Sequence, residues 1–331
     1  MAKTLIIGGG GFIGGHLAQA LVRDGEQVDI IDNFSRAVRD PFFQELEKLE
    51  NVNIIDVDIS SLGSTSLLSY DYKYIYQFAA ILGVQHVLQR PYEVLLKNVL
   101  IQTKAIELAK QQKALQRFIF SSTSEIYAGS LKHMGMPIPT PENVPIALTE
   151  LDHPRTSYML SKIYGEAMCQ HSGLPFTIVR PHNLYGPRMG MAHVLPELMK
   201  KALPLPQKGK LEVASVNHRR AFCYIDDAIK IMRELVSNTK AVCGTYNLGN
   251  QKQEITIGKF ASLVLEAIDR SDLEIIFLPE TPGSPERRCP DMTLTHKVIG
   301  KFNFIDLKEG INETYKWYAK NVFSKGGVSA I

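Results

Sequence analysis

The sequence predicts an α/β fold: a doubly wound parallel sheet followed by a smaller mixed α/β part. Short apolar runs of strand length alternate with segments of helical periodicity through residues 1–180. A cluster of glycines follows the first strand directly, and after Pro181 the elements become shorter and interrupted by prolines. Regular alternation places successive strands in parallel through right-handed crossovers. A chain of 331 residues allows one large or two modest domains. The expected division is 1–180 and 181–331, with some segments of the second unit packing back on the first.

TLIIG opens as a buried strand, and FIGGHLAQALVRDG follows as an amphipathic helix with a glycine stop. VDIID and NVNIIDVDI are the second and third strands, YIYQFAA is the fourth, and PYEVLLKNVLIQTKAIELAKQQ is a long helix. RFIFSS is the fifth strand, TSYMLSKIYGEAMCQHSG a further helix, and FTIVRP a further strand. Between RFIFSS and that helix, Ala128 to Arg155 is proline-rich and lacks clear periodicity. Ordered connections of this length are usually functional. Beyond Pro181, AFCYIDDAIKIMREL is a candidate to pack against the first unit.

Composition narrows the class. Hydrophobic residues at 45% and charged residues at 21% suit a soluble globular chain. A formal net charge of +3 without a Lys/Arg tract argues against nucleic acid as a partner. Four widely spaced cysteines with no C-x-x-C pair argue against zinc and against a redox dithiol, so no metal is expected. MAKTLIIGGGGF reads as strand and turn, not as a cleavable leader, and no apolar run is long enough to span a membrane. The expectation is a cytoplasmic protein with no membrane partner.

GGGGFIGGHL sets Gly8, Gly11 and Gly14 at G-x-x-G-x-x-G spacing, after a strand, at the head of a helix, and ahead of a second strand ending in Asp32. That context makes a Rossmann-type dinucleotide fingerprint. Gly8 allows the tight turn, Gly11 lets a pyrophosphate approach the positive helix end, and Gly14 allows close helix–strand packing. Phe12 and Ile13 complete the turn as candidate contacts. Asp32 suits the adenosine ribose hydroxyls and repels a 2′-phosphate, which favours NAD over NADP; Arg36 nearby tempers this. Asn33 and Ser35 belong to the same segment. Asp58, with Ile59, ends the third strand where a side chain can meet adenine, an ordinary helix cap being the alternative. Ala79 and Ala80 end the fourth strand with small side chains, as a backbone passing close to a dinucleotide needs.

FSSTSEIY carries four consecutive hydroxyl residues and then a carboxylate as the chain leaves a buried strand. Two readings are open. Ser122-x-x-Glu125 fits a capping box, and the strand's carboxyl end is where open α/β sheets bind ligands. TSYMLSK places Tyr158 and Lys162 on one helical face. A phenol titrates at about pH 10, and a neighbouring ammonium favours phenolate. Tyr158 is then a candidate base for a substrate hydroxyl whose carbon gives hydride to NAD.

Together GGGGFIGGHL, IDNFS, the alanines of FAA, FIFSSTSEIY, SYMLSK, RPHNLYGPR and RRAFCYIDDA resemble the extended short-chain dehydrogenase/reductase enzymes that modify nucleotide sugars, over nearly the whole chain. The resemblance implies a Thr123–Tyr158–Lys162 catalytic set, with Thr123 hydrogen-bonding the sugar hydroxyl that is oxidised and with Ser124 and Glu125 on the sugar side. It implies that Asn98 lies behind the active site, supporting cofactor and lysine, and that Pro181 lies beside the cofactor. It further implies that Asn183 contacts the diphosphate, that Arg220 grips a phosphate, and that Arg288 lies near the sugar or phosphates. His182 is left as a pocket-lining residue. The implied partner is a nucleotide-diphosphate sugar. Residues 92–112 and 157–171 resemble the family's four-helix dimer seam, which implies a homodimer, and the two units become an NAD-binding domain and a mainly nucleotide-sugar-binding domain.

Such enzymes begin by oxidising C4 of a hexose and then diverge into C4 epimerases, 4,6-dehydratases, decarboxylases and C4 dehydrogenases. Thr-Ser-Glu at 123–125 resembles GDP-mannose 4,6-dehydratases and UDP-glucuronate decarboxylases, in which the Glu lies beside C5 and C6. RRCPD and YGPRM lean toward the decarboxylases. FAAILGVQHV lacks the Pro-containing segment that decarboxylases carry here, and the 128–155 loop is a second departure. The reading is an NAD-dependent nucleotide-sugar enzyme acting through C4 oxidation, with epimerisation, dehydration, decarboxylation and release of the 4-keto sugar all open. A non-catalytic dinucleotide-binding regulator is the reading from another class, opposed by intact Thr123, Tyr158 and Lys162. Asp32 leads to an expected preference for NAD over NADP of at least about tenfold, or about 1.4 kcal/mol. Equal affinities in calorimetry would assign control of the ribose to Arg36 instead.

Overall fold

The computed structural model describes residues 3–61, 68, 71–281 and 284–325. The first half runs β1 (Lys3–Ile7), α1 (Phe12–Arg23), β2 (Gln27–Asp32), α2 (Pro41–Glu47), β3 (Val52–Asp56), β4 (Tyr72–Gln77), α3 (Val84–Gln89), α4 (Pro91–Lys110), β5 (Arg117–Ser121), α5 (Ala128–Met134), α6 (Arg155–Gln170) and β6 (Phe176–Pro181). Every strand and helix expected in this half is present, close to its expected bounds. The short helices α2, α3 and α5 escape a periodicity reading because one or two turns show too little of a repeat. In α2 only the start is legible: Asp40 accepts a hydrogen bond from the Phe43 amide, and Pro41 occupies the first turn.

The second half runs β7 (Leu184–Tyr185), α7 (Val194–Ala202), β8 (Lys210–Ala214), β9 (Arg219–Ala221), β10 (Cys223–Tyr224), α8 (Ile225–Ser237), β11 (Gly244–Leu248), β12 (Glu254–Thr256), α9 (Ile257–Ala267), β13 (Glu274–Leu278), β14 (Arg287–Arg288), α10 (Thr293–Ile299) and α11 (Leu307–Asn321). Strand β11 pairs in parallel with β6 and completes a seven-stranded sheet of order β3-β2-β1-β4-β5-β6-β11. Alternate residues of β1 face opposite cores. Ile6 joins the cluster of Leu17 and Leu21 from α1 with Ile229 and Met232 from α8, while Leu5 and Ile7 join Ile101 and Ala105 of α4. The segment AFCYIDDAIKIMREL thus becomes β10 and α8, and α8 packs on α1.

Two features of this fold position the site. The strand order reverses between β1 and β4, so the carboxyl ends of these strands flank a crevice. Strand β14 lies parallel to β9 with Arg288 opposite Arg220, which brings two guanidinium-bearing residues side by side. After α5 the rest of the 128–155 connection is irregular, and its backbone bonds to another segment. The Thr140 amide donates to the Cys289 carbonyl, and the Thr140 carbonyl accepts from the Asp291 amide, each at 2.9 Å. Among the described residues, no helix is long and apolar enough to cross a membrane.

Candidate active site and cofactor cleft

The glycine turn is built by close backbone contact. Gly8 has φ +84°, and a Cβ there would stand 2.5 Å from the Ala79 amide nitrogen. The end of β4 is therefore pressed against the end of β1, with the Ala79 amide donating to the Ile7 carbonyl at 3.0 Å. A Cβ on Gly14 would meet the Gly8 carbonyl at 2.4 Å. Gly11 differs: the nearest atom to its missing Cβ is 3.5 Å away, an ordinary contact. The protein's own packing does not require glycine there. Among the described residues no side chain caps α1, and its first turn carries no acidic residue. The amides of Phe12 and Ile13 thus open a positive helix end to an anion.

Asp32 braces this turn as well as ending β2. Its carboxylate accepts from the Gly10 and Phe34 amides, each at 2.9 Å. Burial raises its pKa, and those two bonds oppose the rise. Each oxygen keeps a further lone pair for a ribose hydroxyl. Asn33 accepts from the Ser35 amide and hydroxyl and donates to Asp58 at 3.2 Å. Asp58 also accepts from the Ser60 amide at 2.9 Å, so it closes the turn at Ile59–Ser61 whether or not it meets adenine. The Ile59 side chain is buried in the core, which leaves only its backbone for a ligand. Pro181 ends β6 opposite Leu248 of β11. Arg36 reaches over the cleft: its Nη2 lies 3.6 Å from where a Gly83 Cβ would stand, and its charge favours the Tyr158 phenolate.

At the end of β5 the capping-box reading of Ser122 and Glu125 is corrected. The Ser122 amide is already used, donating to the Val179 carbonyl at 2.8 Å. The cap is Thr123, whose hydroxyl accepts from the Glu125 amide at 3.2 Å. The Glu125 carboxylate turns outward and accepts from Arg288 Nη1 at 2.8 Å. Arg288 holds this carboxyl below its usual range against the opposing effect of burial, with smaller help from Arg155 and Arg220. Glu125 is therefore an anion at neutral pH, although 40% of its side chain is open to the cleft.

Helix α6 brings Tyr158 to this ledge beside Thr123, whose side chain favours the ionised phenol. Lys162 lies behind, donating to the Ser121 carbonyl at 2.8 Å and standing 5.9 Å from the centre of the Tyr158 ring. Burial pushes the lysine down to about 8, so at neutral pH it is still mostly ammonium. Burial raises the Tyr158 pKa, the Glu125 anion raises it further, and Thr123 and Arg36 oppose the rise. Among the described residues Asn98 makes its hydrogen bonds to Ile81 and Ser161: it accepts from the Ile81 amide at 2.7 Å and donates to the Ile81 carbonyl and to Ser161, clamping the exit of β4 to α6.

On the facing wall, the terminal nitrogens of Arg220 donate to the carbonyls of Arg219, Pro285 and Glu286 and to the Ser284 hydroxyl. Burial and the neighbouring Arg288 lower its pKa to about 10. Asn183 has φ +41° and donates to the Ala221 carbonyl at 3.2 Å, which places it beside the same strand. Ser124 is buried and shares a small cavity with Arg288 and His182. His182 is held near pKa 3 by burial and stays neutral, bonded to Asn247.

The sequence reading missed the frame behind these groups. Arg180 pairs with Glu166 of α6 through two bonds of 2.9 and 2.7 Å and donates to the Tyr127 hydroxyl at 2.8 Å. An arginine inside the apolar run FTIVRP was the available signal. Asn247 gave none, because its partners Thr140, Tyr127 and Asp291 are distant in sequence.

The family model for the NAD dependent epimerase/dehydratase family matches residues 4–249. The chain belongs to this family. UDP-glucuronic acid decarboxylase 1 of Xenopus tropicalis is 30% identical over 327 residues, spanning 97% of this chain and 73% of that protein. UDP-N-acetyl-alpha-D-glucosaminuronate decarboxylase of Bacillus cytotoxicus is 29% identical over 329 residues, spanning 96% and 97%. Among solved structures, the UDP-glucuronic acid 4-epimerase of Bacillus cereus, in complex with UDP-glucuronic acid and NAD, matches at 25% identity with a TM-score of 0.78, covering 96% of this chain and 99% of that one.

The chain is thus an enzyme of the epimerase/dehydratase family, and NAD is its cofactor. Bare Gly11, the uncapped α1 end and Asp32 fit that dinucleotide. Tyr158→Phe removes only the phenolic oxygen, so it should leave NAD binding and melting temperature nearly unchanged while turnover falls on the order of a hundredfold. A variant that keeps most of its turnover would exclude the base role.

Proposed function

We propose that this enzyme is a decarboxylase of a UDP-linked uronic acid, acting through oxidation at C4. The observation that carries the reading is the Glu125–Arg288 ion pair at the reactive ledge, with Arg220 beside it in the β9–β14 pairing. A planar guanidinium suits a carboxylate substrate group because its fork matches two oxygens. The names of the relatives support a uronate. The clamp of Asn98 on both polar groups of Ile81 holds the loop after β4 without the proline that decarboxylases carry there.

In this reading residues 1–180 mainly hold NAD, and residues 181–331 mainly hold the nucleotide sugar through Asn183, Arg220 and Arg288. NAD, held by the Gly8–Ile13 turn and Asp32, would supply the hydride acceptor at C4 and the hydride returned there. Tyr158 takes the proton of the C4 hydroxyl, Thr123 orients that hydroxyl, and Lys162 keeps a positive charge behind them. A ketone at C4 makes the uronate a β-keto acid. The C5–C6 bond then breaks, its electron pair passes to the C4 oxygen as an enolate, and carbon dioxide leaves. In this reading Thr123 and Tyr158 hydrogen-bond the enolate. C5 takes up a proton, and Tyr158 returns its own to the C4 oxygen. Glu125 keeps Arg288 in place. A second reading, C4 epimerisation of the same uronate, is favoured by the likeness to the UDP-glucuronic acid 4-epimerase.

We also propose a homodimer. Helices α4 and α6 pack together and leave Tyr92, Leu96 and Leu100, spaced by one helical turn, exposed at 74%, 43% and 40%, with Tyr164 at 53%. A second copy presenting the same two helices is the self-complementary cover. The free cysteines, Cys243 among them exposed, suit a reducing cytoplasm.

Mass spectrometry after incubation with UDP-glucuronate and UDP-N-acetylglucosaminuronate decides the reaction. Loss of carbon dioxide is expected. An isomer would select the epimerase, and turnover of neutral hexoses alone would overturn the uronate. In a single turnover, Glu125→Gln should let NADH form and then stall, because Arg288 has lost its partner. Unchanged traces and products would leave Glu125 no role beyond its turn. Light scattering should give a dimer, and Leu96→Glu should give a monomer that still binds NAD; a monomeric wild type would refute the seam.

A further inference from the structure

Arg188 starts in the connection between β7 and α7, in the half of the chain assigned to the nucleotide sugar, yet its guanidinium ends inside the cofactor half. The loop that carries it turns sharply, with Gly186 at φ +154° and Arg188 at φ +68°. The side chain is only 4% exposed. Its Nε donates to Asp40 at 2.7 Å, the same Asp40 that caps α2. Nη2 donates to the Gly10 carbonyl at 3.2 Å, and the guanidinium lies 4.6 Å from the centre of the Phe42 ring. The loop is tied a second time where His16 of α1 meets the Pro187 carbonyl at 2.9 Å.

Gly10 is therefore held from both sides, its amide by Asp32 and its carbonyl by Arg188. The consecutive glycines 14 and 15 also separate into two causes. Gly14 is small because the turn folds back on it, whereas a Cβ on Gly15 would stand 2.3 Å from Arg188 Nη1. Gly15 is the gap through which the guanidinium passes. Nη1 itself is buried with no hydrogen-bond partner among the described residues, so this arginine is retained against a desolvation penalty.

We propose that Arg188 is a positioning residue for the dinucleotide, fixing the glycine turn and the start of α2 from the opposite half of the chain so that the turn presents its amides to the diphosphate. It rests on NAD as the cofactor and not on which sugar is transformed. Lysine cannot replace it, since one ammonium cannot reach Asp40 and Gly10 while lying flat on Phe42.

The test is calorimetric, on the full chain freed of bound nucleotide, with NAD and UDP as separate probes. Arg188→Met should weaken NAD at least about tenfold, the loss of charge-assisted bonds to the turn, and leave UDP within about twofold. Arg188→Lys should not restore NAD binding. Gly15→Ala approaches the same guanidinium from the other side and should reproduce the pattern, NAD weakened and UDP spared. It also decides the matter if Arg188→Met does not fold. Unchanged NAD affinity in a folded variant would overturn the proposal, as would equal losses for NAD and UDP, which mark a general loss of structure. A failed uronate assay leaves this result untouched, because neither probe contains the sugar.

Discussion

The pair between Arg180 and Glu166 is the constraint from which the reactive geometry follows. Both side chains are almost fully buried, at 5% and 10% exposure. Burying two charges is costly, and mutual attraction alone rarely offsets it. Here the guanidinium meets both carboxylate oxygens and also reaches the Tyr127 hydroxyl and the Glu142 carbonyl. Satisfied in this way, the pair joins three parts that share no local sequence: strand β6, helix α6, and the turn at Ser124–Tyr127. Tyr158 and Lys162 ride on α6, while Thr123 and Glu125 ride on the turn. Losing either charge would leave the other uncompensated in the core, a defect of roughly 3–5 kcal/mol.

The wall that carries Arg220 and Arg288 is assembled on the same principle from weaker parts. Strand β14 is only Arg287–Arg288, too short to hold itself. It is kept in place by β9 on one edge, while Thr140 bonds to the residues just beyond it and Arg287 pairs with Glu254 at 2.6 and 2.8 Å. The irregular 128–155 connection is thus a brace for the arginines that face the ledge. Its side chains need no periodicity because its backbone groups find their partners across the cleft wall.

Legibility in the sequence followed the range of the forces involved. Gly8, Gly14 and Asp32 act within one β-α-β unit, so their spacing announces them. Tyr158 and Lys162 lie one helical turn apart and are equally plain. The six strands of the first half show themselves as apolar runs. Strand β11, GTYNL, does not, because it is short and carries Thr and Asn, with its place set by β6. The capping-box reading failed for a related reason: local spacing permits the Glu125 bond, but Val179 of the neighbouring strand had already taken the Ser122 amide. Glu125 and Arg288 were each singled out, yet nothing 163 residues apart in sequence says that they meet.

The phenol at the centre of the site shows how these layers combine. Burial opposes ionisation of Tyr158, while the Lys162 ammonium behind it is anchored to the Ser121 carbonyl. The Glu125 anion adds to the opposition. Arg288 bears on the phenol as well, because it shares the charge of the carboxylate that disfavours phenolate. A group that draws Arg288 away exposes Tyr158 to that anion, while one that engages Arg288 without displacing Glu125 does not. Ionisation of Tyr158 is therefore coupled to the Glu125–Arg288 ion pair. The coupling has a fixed sign: neutralising Glu125 makes phenolate easier to form, and isolating it makes phenolate harder.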